Sequence, residues 1–277
     1  MKKYGVLIKR LVIIIFTTFL TLLFLVLFLC TGLAIGVFND KSIQRSLSDS
    51  RYYYGLYEDI YNRAEGLLKQ GGIPSSVIKD VITLDRVYSN GQNYVSSLMQ
   101  QRLPDMNGNE LNILLYQNIN DYLKKEGIDR TNEVADRIDD IVLKISNLYK
   151  NSLELRFIDS YSEYRIEFCN LIKYLIPILL VAIGFICYIL LRLHNFKKLG
   201  LWFVNYALIA STCIISIFTF ILLIRNNYID VTISPHYYRA FLVEYFRWDT
   251  LIFILVSCCT LIFSFLMIKI TKYKTTK

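Results

Sequence analysis

Two histidines, six cysteines and a cluster of tyrosines carry most of the chemistry that this 277-residue chain can offer. The charge pattern described below puts His194 and His236 on opposite sides of a membrane, so they share neither a metal nor a proton-transfer dyad. No His-Glu-x-x-His spacing supports a zinc site made from either one with carboxylates. His236 is the sharper candidate. It stands beside Tyr237, Tyr238 and Arg239, with Ser234 and Asp230 close in sequence. A membrane-interface acyltransferase or hydrolase would hold its general base at such a place. Nearness in sequence does not make a triad. A residue opening a helix at the interface is the simpler reading of His236, and no catalytic residue is assigned.

The tyrosines form the run Tyr52-Tyr53-Tyr54, followed by Tyr57 and Tyr61. As an aromatic strip for a sugar or peptide, Tyr52, Tyr53, Tyr54 and Tyr57 would supply partner or interface contacts. The preferred reading is the root of a folded cap at the bilayer interface, where tyrosine is favoured. Of the cysteines, Cys30, Cys187, Cys213, Cys258 and Cys259 fall in apolar runs, and Cys169 lies close to one. A disulfide scaffold would place pairs within 39–170, and no pair lies there. The cysteines read as small apolar packing residues. No Walker motif, dinucleotide-binding loop or kinase signature occurs, so no cofactor and no metal is expected.

The elements that position these residues follow from hydropathy. The chain is 54% hydrophobic and only 19% charged, against about 25% charged for soluble domains. Its mean hydropathy is +0.39. A helix crosses about 30 Å of hydrocarbon with about 20 apolar residues. Four apolar runs meet that need, at 11–38, 171–191, 199–224 and 250–268, uncharged except for Lys173 at the start of the second. The first is far longer than the 7–15 residues or so of a signal-peptide core, and it reads as a retained anchor. No acidic, basic or histidine side chain falls at mid-depth in these runs, where ion-coupled transporters keep such groups. Thr17 and Thr21, with Ser211, Thr212, Ser216 and Thr219, read as helix–helix hydrogen-bonding groups.

The formal charge of +8 divides unevenly along the chain. Eleven Lys and Arg residues occupy 1–10, 192–198 and 269–277, and no acid accompanies them. All 23 acids lie in the other two segments, 39–170 and 225–249. The positive-inside rule then predicts a multi-pass plasma-membrane protein. Its N-terminus 1–10, its short loop 192–198 and its tail 269–277 are cytoplasmic. The domain 39–170 and the loop 225–249 are extracellular. Segment 39–170 holds 20 acids against 16 basic residues, so the excess positive charge marks orientation and not a nucleic-acid partner.

The fold class expected is all-α: four transmembrane helices, with an extracellular helical domain of four or five helices between the first two. Val134, Ile138, Ile141, Ile145 and Leu148 form an apolar seam at helical spacing, and Leu111, Leu115, Ile119 and Tyr122 form another. Thr83 and Thr131 suit N-caps, Gly127 a helix end, and Pro74 the start of a short helix. Arg102-Leu103-Pro104 and Asn107-Gly108-Asn109 read as turns. Ser234-Pro235 reads as an N-cap followed by a first helical residue, with Asp249 a break before the fourth span.

Gly72-Ile73-Pro74, then Val77, Thr83 and Val87, through Tyr94-Val95 to Tyr122-Leu123, resembles a pattern in uncharacterised four-span membrane proteins of low-GC Gram-positive bacteria. That resemblance covers about residues 70–150 plus the span layout. It implies a bacterial plasma membrane and transfers no functional residue. The topology also resembles permease subunits of FtsX-like exporters, which place a large outer domain between spans one and two. The loop 192–198 departs from that pattern, because it lacks an amphipathic coupling helix.

The leading expectation is a non-enzymatic accessory or sensor protein whose helical cap binds an envelope protein, peptide or ligand. An exporter permease subunit is the alternative, and an acyltransferase or hydrolase using His236 is the third. The lipid bilayer is the partner implied directly, and homo-oligomerisation stays open.

Overall fold

The computed structural model describes residues 2–104, 108–129, 131–193, 197–225 and 233–273. Helices account for nearly all of them, and no strand occurs among the described residues. In chain order the helices are α1 (Lys2–Ile35), α2 (Asp40–Asp49), α3 (Tyr52–Gln70), α4 (Leu84–Met99), α5 (Gly108–Glu126), α6 (Asn132–Leu153), α7 (Arg156–Leu193), α8 (Lys197–Arg225) and α9 (His236–Tyr273), with a 3-10 turn at Ser75–Val77. Four helical stretches are long and apolar enough to cross a membrane. They run through α1, end in α7, and run through α8 and α9, with mean hydropathies of 3.0, 2.7, 2.6 and 2.8.

The chain divides into two compact units. The first comprises residues 1–42, 165–231 and 245–277. Its core joins Ile13 and Leu20 of α1 to Ile183, Ile186 and Leu190 of α7 and Ala207 of α8. Helix α9 meets α1 where side chains are smallest. A Cβ at Gly32 would lie 2.3 Å from the Phe253 ring, and one at Gly36 would lie 3.2 Å from Asp249 Oδ1. This is the small-xxx-small spacing that lets membrane helices approach closely. Thr212 donates to Thr260 at 3.1 Å and Ser264 to Asn205 at 2.7 Å, tying α8 to α9.

Large apolar side chains on the same four helices face outward, among them Ile14, Phe19, Val181, Phe185, Phe218, Phe220 and Phe265. A helix apolar on all sides needs protein or lipid around it. The hydroxyls of Thr17, Thr21 and Thr219 return to carbonyls four residues earlier in their own helices. Among the threonines expected to bridge helices, Thr212 reaches across. The packing role expected of the cysteines holds for buried Cys30, whereas Cys213, Cys258 and Cys259 are exposed.

The second unit comprises residues 43–164 and 232–244. Helix α3 is central and packs on α4 and α6, while α5 packs on α6. Its buried stripe is Tyr52, Leu56, Ile60, Ala64 and Leu68, a spacing of four that keeps one face inward. Thr83 Oγ1 accepts from Arg86 N at 3.3 Å and Thr131 Oγ1 from Val134 N at 3.4 Å, so both threonines cap as their positions suggest. Gly127 follows α5 with φ 66°, the left-handed geometry that ends a helix at low cost.

Some sequence expectations shift. The buried face of α6 is Ile138, Val142, Ile145, Tyr149 and Leu153, rotated from the expected seam because three helices pack on α6. In α5 the fourth buried position is Leu123, not Tyr122. Gly108 and Asn109 belong to α5 and not to a turn. Helix α1 stops at Ile35, short of the end of the apolar run at Phe38, and Asn39 N donates to Gly36 O. The first helical residue of α9 is His236, with Pro235 O accepting from Tyr238 N at 3.1 Å. Asp249 does not break the fourth long helix, because α9 continues through it. His194, Asp230 and Asn107 lie outside the described residues.

Two glycines of the second unit make opposite predictions. A Cβ at Gly91 in α4 would meet the Tyr53 ring at 2.3 Å, whereas nothing lies within 4 Å of one at Gly66 in α3. Gly91→Ala is expected to destabilise by about 1–3 kcal/mol through overpacking. Gly66→Ala is expected to stabilise by about 0.5–1 kcal/mol by removing helix-interior glycine. Thermal unfolding of the full-length protein in detergent, followed by circular dichroism, distinguishes the two.

Burial, then neighbouring tyrosines, pushes the Tyr52 hydroxyl up, and burial, then Tyr88, does the same for Tyr53. Burial, with Asp159 and Glu154 behind it, pushes Tyr94 up to about 12. An unfolded tyrosine ionises near about 10. The unfolded chain therefore loses these protons first, so stability is intact below about pH 10 and falls as pH rises toward about 12. An alkaline titration should show exposed tyrosines ionising first and a second absorbance step coinciding with loss of helicity. A single step without helix loss would contradict the burial of these rings.

Candidate functional site

The second unit holds an open cleft of about 940 Å³. One wall is the face of α3 that carries Asp59, Arg63, Leu67 and Gln70, at the three- and four-residue spacing of one helix side. The other is the face of α6 with Lys144, Asn147, Leu148, Asn151 and Ser152. Glu154, Leu155 and Phe157 continue that wall, and Ile233, Ser234, Pro235, Tyr237 and Tyr238 close one end. The two walls exist because α3 and α6 bury their Leu56–Ile60–Ala64 and Ile138–Val142–Ile145 stripes elsewhere. Their polar flanks are left facing the same space.

The closed end is an aromatic cluster. Tyr52 meets Tyr237 at 5.2 Å and Phe241 at 6.0 Å, both edge-on. Phe157 meets Tyr238 at 5.4 Å and Phe241 at 5.6 Å. Edge contacts at these distances add about 0.5–1.5 kcal/mol each beyond burial. A Cβ on Gly55 would lie 2.5 Å from Tyr237 Cβ, so the glycine is what lets the first turn of α9 lie against α3. The Tyr237 hydroxyl bonds to Asp59, and Asp59 pairs with Arg63 at 3.5 Å. Lys144 pairs with Asp140 at 2.6 Å. These pairs are exposed and contribute little to stability, which leaves both signs of charge available to a ligand.

The expected tyrosine strip divides. Tyr52 and Tyr53 are 2% and 4% exposed, and Tyr53 meets Tyr88 edge-on at 5.1 Å. Both are core residues of the second unit. Tyr54 is half-exposed, with its hydroxyl bonded to Glu58. The Tyr57 ring lies 5.8 Å from that of Tyr61. His236 is exposed at the start of α9 and does not line the cleft, although Tyr237 and Tyr238 do.

The amides Gln70, Asn147 and Asn151, the pair Asp59–Arg63 and the ring of Phe157 were not singled out by sequence reasoning. The available signal was the spacing of Asn147 and Asn151, one turn apart on α6. Each primary amide offers both a donor and an acceptor, which is the complement of a peptide group. Among the described residues, the cleft lining contains neither His nor Cys, and no group of three or more His, Cys, Asp or Glu is placed to hold a metal. The chemistry on offer is recognition of a polar ligand through amides, opposite charges and aromatic edges. No family model matches the chain, and neither a curated protein nor a solved structure matches it.

Proposed function

We propose that this protein is a multi-pass plasma-membrane protein of a bacterium, and that its second unit lies outside the cytoplasm and binds a peptide segment of an envelope partner. In this reading it is a non-enzymatic accessory or sensor protein. One observation carries it: the cleft between α3 and α6 presents Gln70, Asn147 and Asn151 beside an aromatic end and a charge pair. Amides in a row recognise extended backbone without demanding a sequence, and aromatic pockets add selectivity. The orientation draws its support from the eleven unaccompanied basic residues at 1–10, 192–198 and 269–277. The low-GC Gram-positive source is the setting that the resemblance of residues 70–150 suggests.

Orientation is tested with reporters. A periplasm- or exterior-active phosphatase inserted after Ile128, in the connection between α5 and α6, should be active in cells. A fluorescent protein that matures only in cytoplasm should fluoresce when fused after residue 277. The opposite pattern overturns the topology.

Binding is tested with a photoreactive residue in full-length protein in its membrane. At Asn147 or Asn151 it should capture a defined envelope partner, and Arg63→Glu should reduce capture severalfold. At Ile113, exposed on α5 and away from the cleft, it should capture none of that partner. Equal capture at all three positions, or none at the cleft, contradicts the proposal.

A further inference from the structure

Within the first unit, α9 carries a carboxyl group that its surroundings do not match. Asp249 is 6% exposed, and neither carboxyl oxygen has a hydrogen-bond partner among the described residues. Buried carboxylates ordinarily accept several hydrogen bonds or face a cation, since an isolated buried charge is among the least favourable groups in a protein. The neighbour of Asp249 is the last turn of α1. Its Oδ1 lies 3.2 Å from the point that a Cβ would occupy at Gly36, the residue that follows α1. A helix C-terminus presents carbonyl oxygens and the negative end of the helix dipole. It repels a carboxylate and accepts from a carboxylic acid.

The nearby cation is engaged elsewhere. Arg165 of α7 pairs with Asp40 at 2.9 Å and donates to Phe38 O at 3.0 Å. Tyr245, one turn before Asp249, donates to Val37 O at 2.5 Å. Glu244 and Arg247 of α9 have interactions of their own, and Lys173 of α7 donates to Asn170. Glu167 of α7 is exposed. From 11 to 38 the α1 segment holds no acid or base beyond the Cys30 thiol, and from 199 to 224 α8 has only Tyr206 and Cys213 as titratable side chains. A second observation extends the feature. Ser257 Oγ and Asn205 Nδ2 are also buried without partners among the described residues. Asp249, Ser257, Thr260 and Ser264 share one side of α9, where Thr260 and Ser264 bond to α8.

We propose that Asp249 is a proton-binding site: its carboxyl is neutral while α9 packs on α1, and loss of that proton to water loosens the contact between the two helices. The proton removes a charge that would otherwise lie buried beside the carbonyl end of α1 with no bonded cation. Gly36 supplies the room for the carboxyl. The site is independent of the ligand cleft, and its failure would leave that reading untouched.

The test uses full-length protein in lipid vesicles, labelled with carboxyl-13C aspartate. Infrared spectroscopy at neutral pH should show the carbonyl stretch of a protonated aspartate, and Asp249→Asn should abolish it. Relative to the base-catalysed intrinsic rate at each pH, amide exchange of residues 245–253 should accelerate as pH is raised past the loss of that band. In D249N, which stays neutral at all pH, the acceleration should be lost. Absence of the band in wild type, its survival in D249N, or equal acceleration in both proteins overturns the proposal. Should D249N not assemble, the wild type alone decides: band loss and faster exchange must share one pH midpoint, and separate midpoints refute it.

Discussion

Water cannot cover the outward faces of α1, α7, α8 and α9, and the rest of the first unit follows from that constraint. Ile14, Phe19, Val181, Phe185, Phe218 and Phe265 all point away from the bundle. In water each such side chain would forgo roughly 1.5–3 kcal/mol of burial. In lipid they cost nothing, but lipid also removes the hydrophobic force that would pull helices together. Packing must come instead from close approach and from polar contacts between helices. Gly32 and Gly36 against Phe253 and Asp249, Thr212 on Thr260 and Ser264 on Asn205 are contacts of that kind.

The second unit answers to the opposite solvent. Its helices are amphipathic, its apolar stripes are narrow, and α3 carries much of the core by facing both α4 and α6. Polar cross-links refine this packing. Asn90 Nδ2 donates to the Tyr149 hydroxyl at 2.9 Å, and Asn118 Nδ2 donates to Val77 O at 2.9 Å. A bonded buried polar group specifies which helices meet, because a mispaired one would lie unsatisfied. The cleft is a by-product of the same geometry. Two amphipathic helices that bury neighbouring stripes must leave their polar flanks facing each other across a groove.

Much of this organisation is legible in residues alone. The four apolar runs, the helical periodicity of 111–123 and 134–148 and the caps at Thr83, Thr131 and Gly127 depend on local chemistry. Each is a statement about a residue and its close neighbours in sequence. The cleft is less legible. Asn147 and Asn151 look like ordinary polar positions of an amphipathic helix until α3 is placed opposite them. Tyr52 looks like an interface tyrosine until Tyr237 and Phe241, far along the chain, pack on its ring. The rotated face of α6 has the same origin, since periodicity reports that a helix has an apolar side but not how many neighbours share it.

The sequence by itself determined that four segments suit lipid, that the segment between the first two is helical, and how basic charge is distributed along the chain. These properties are sums over contiguous residues, and no partner is needed to evaluate them. Tertiary structure decided which tyrosines are core, where a cleft lies, and that Asp249 sits inside a continuous helix against Gly36 without a partner. A residue's solvation depends on what surrounds it in three dimensions. The same aspartate that reads as a helix break in one dimension is a buried, unpaired acid in three.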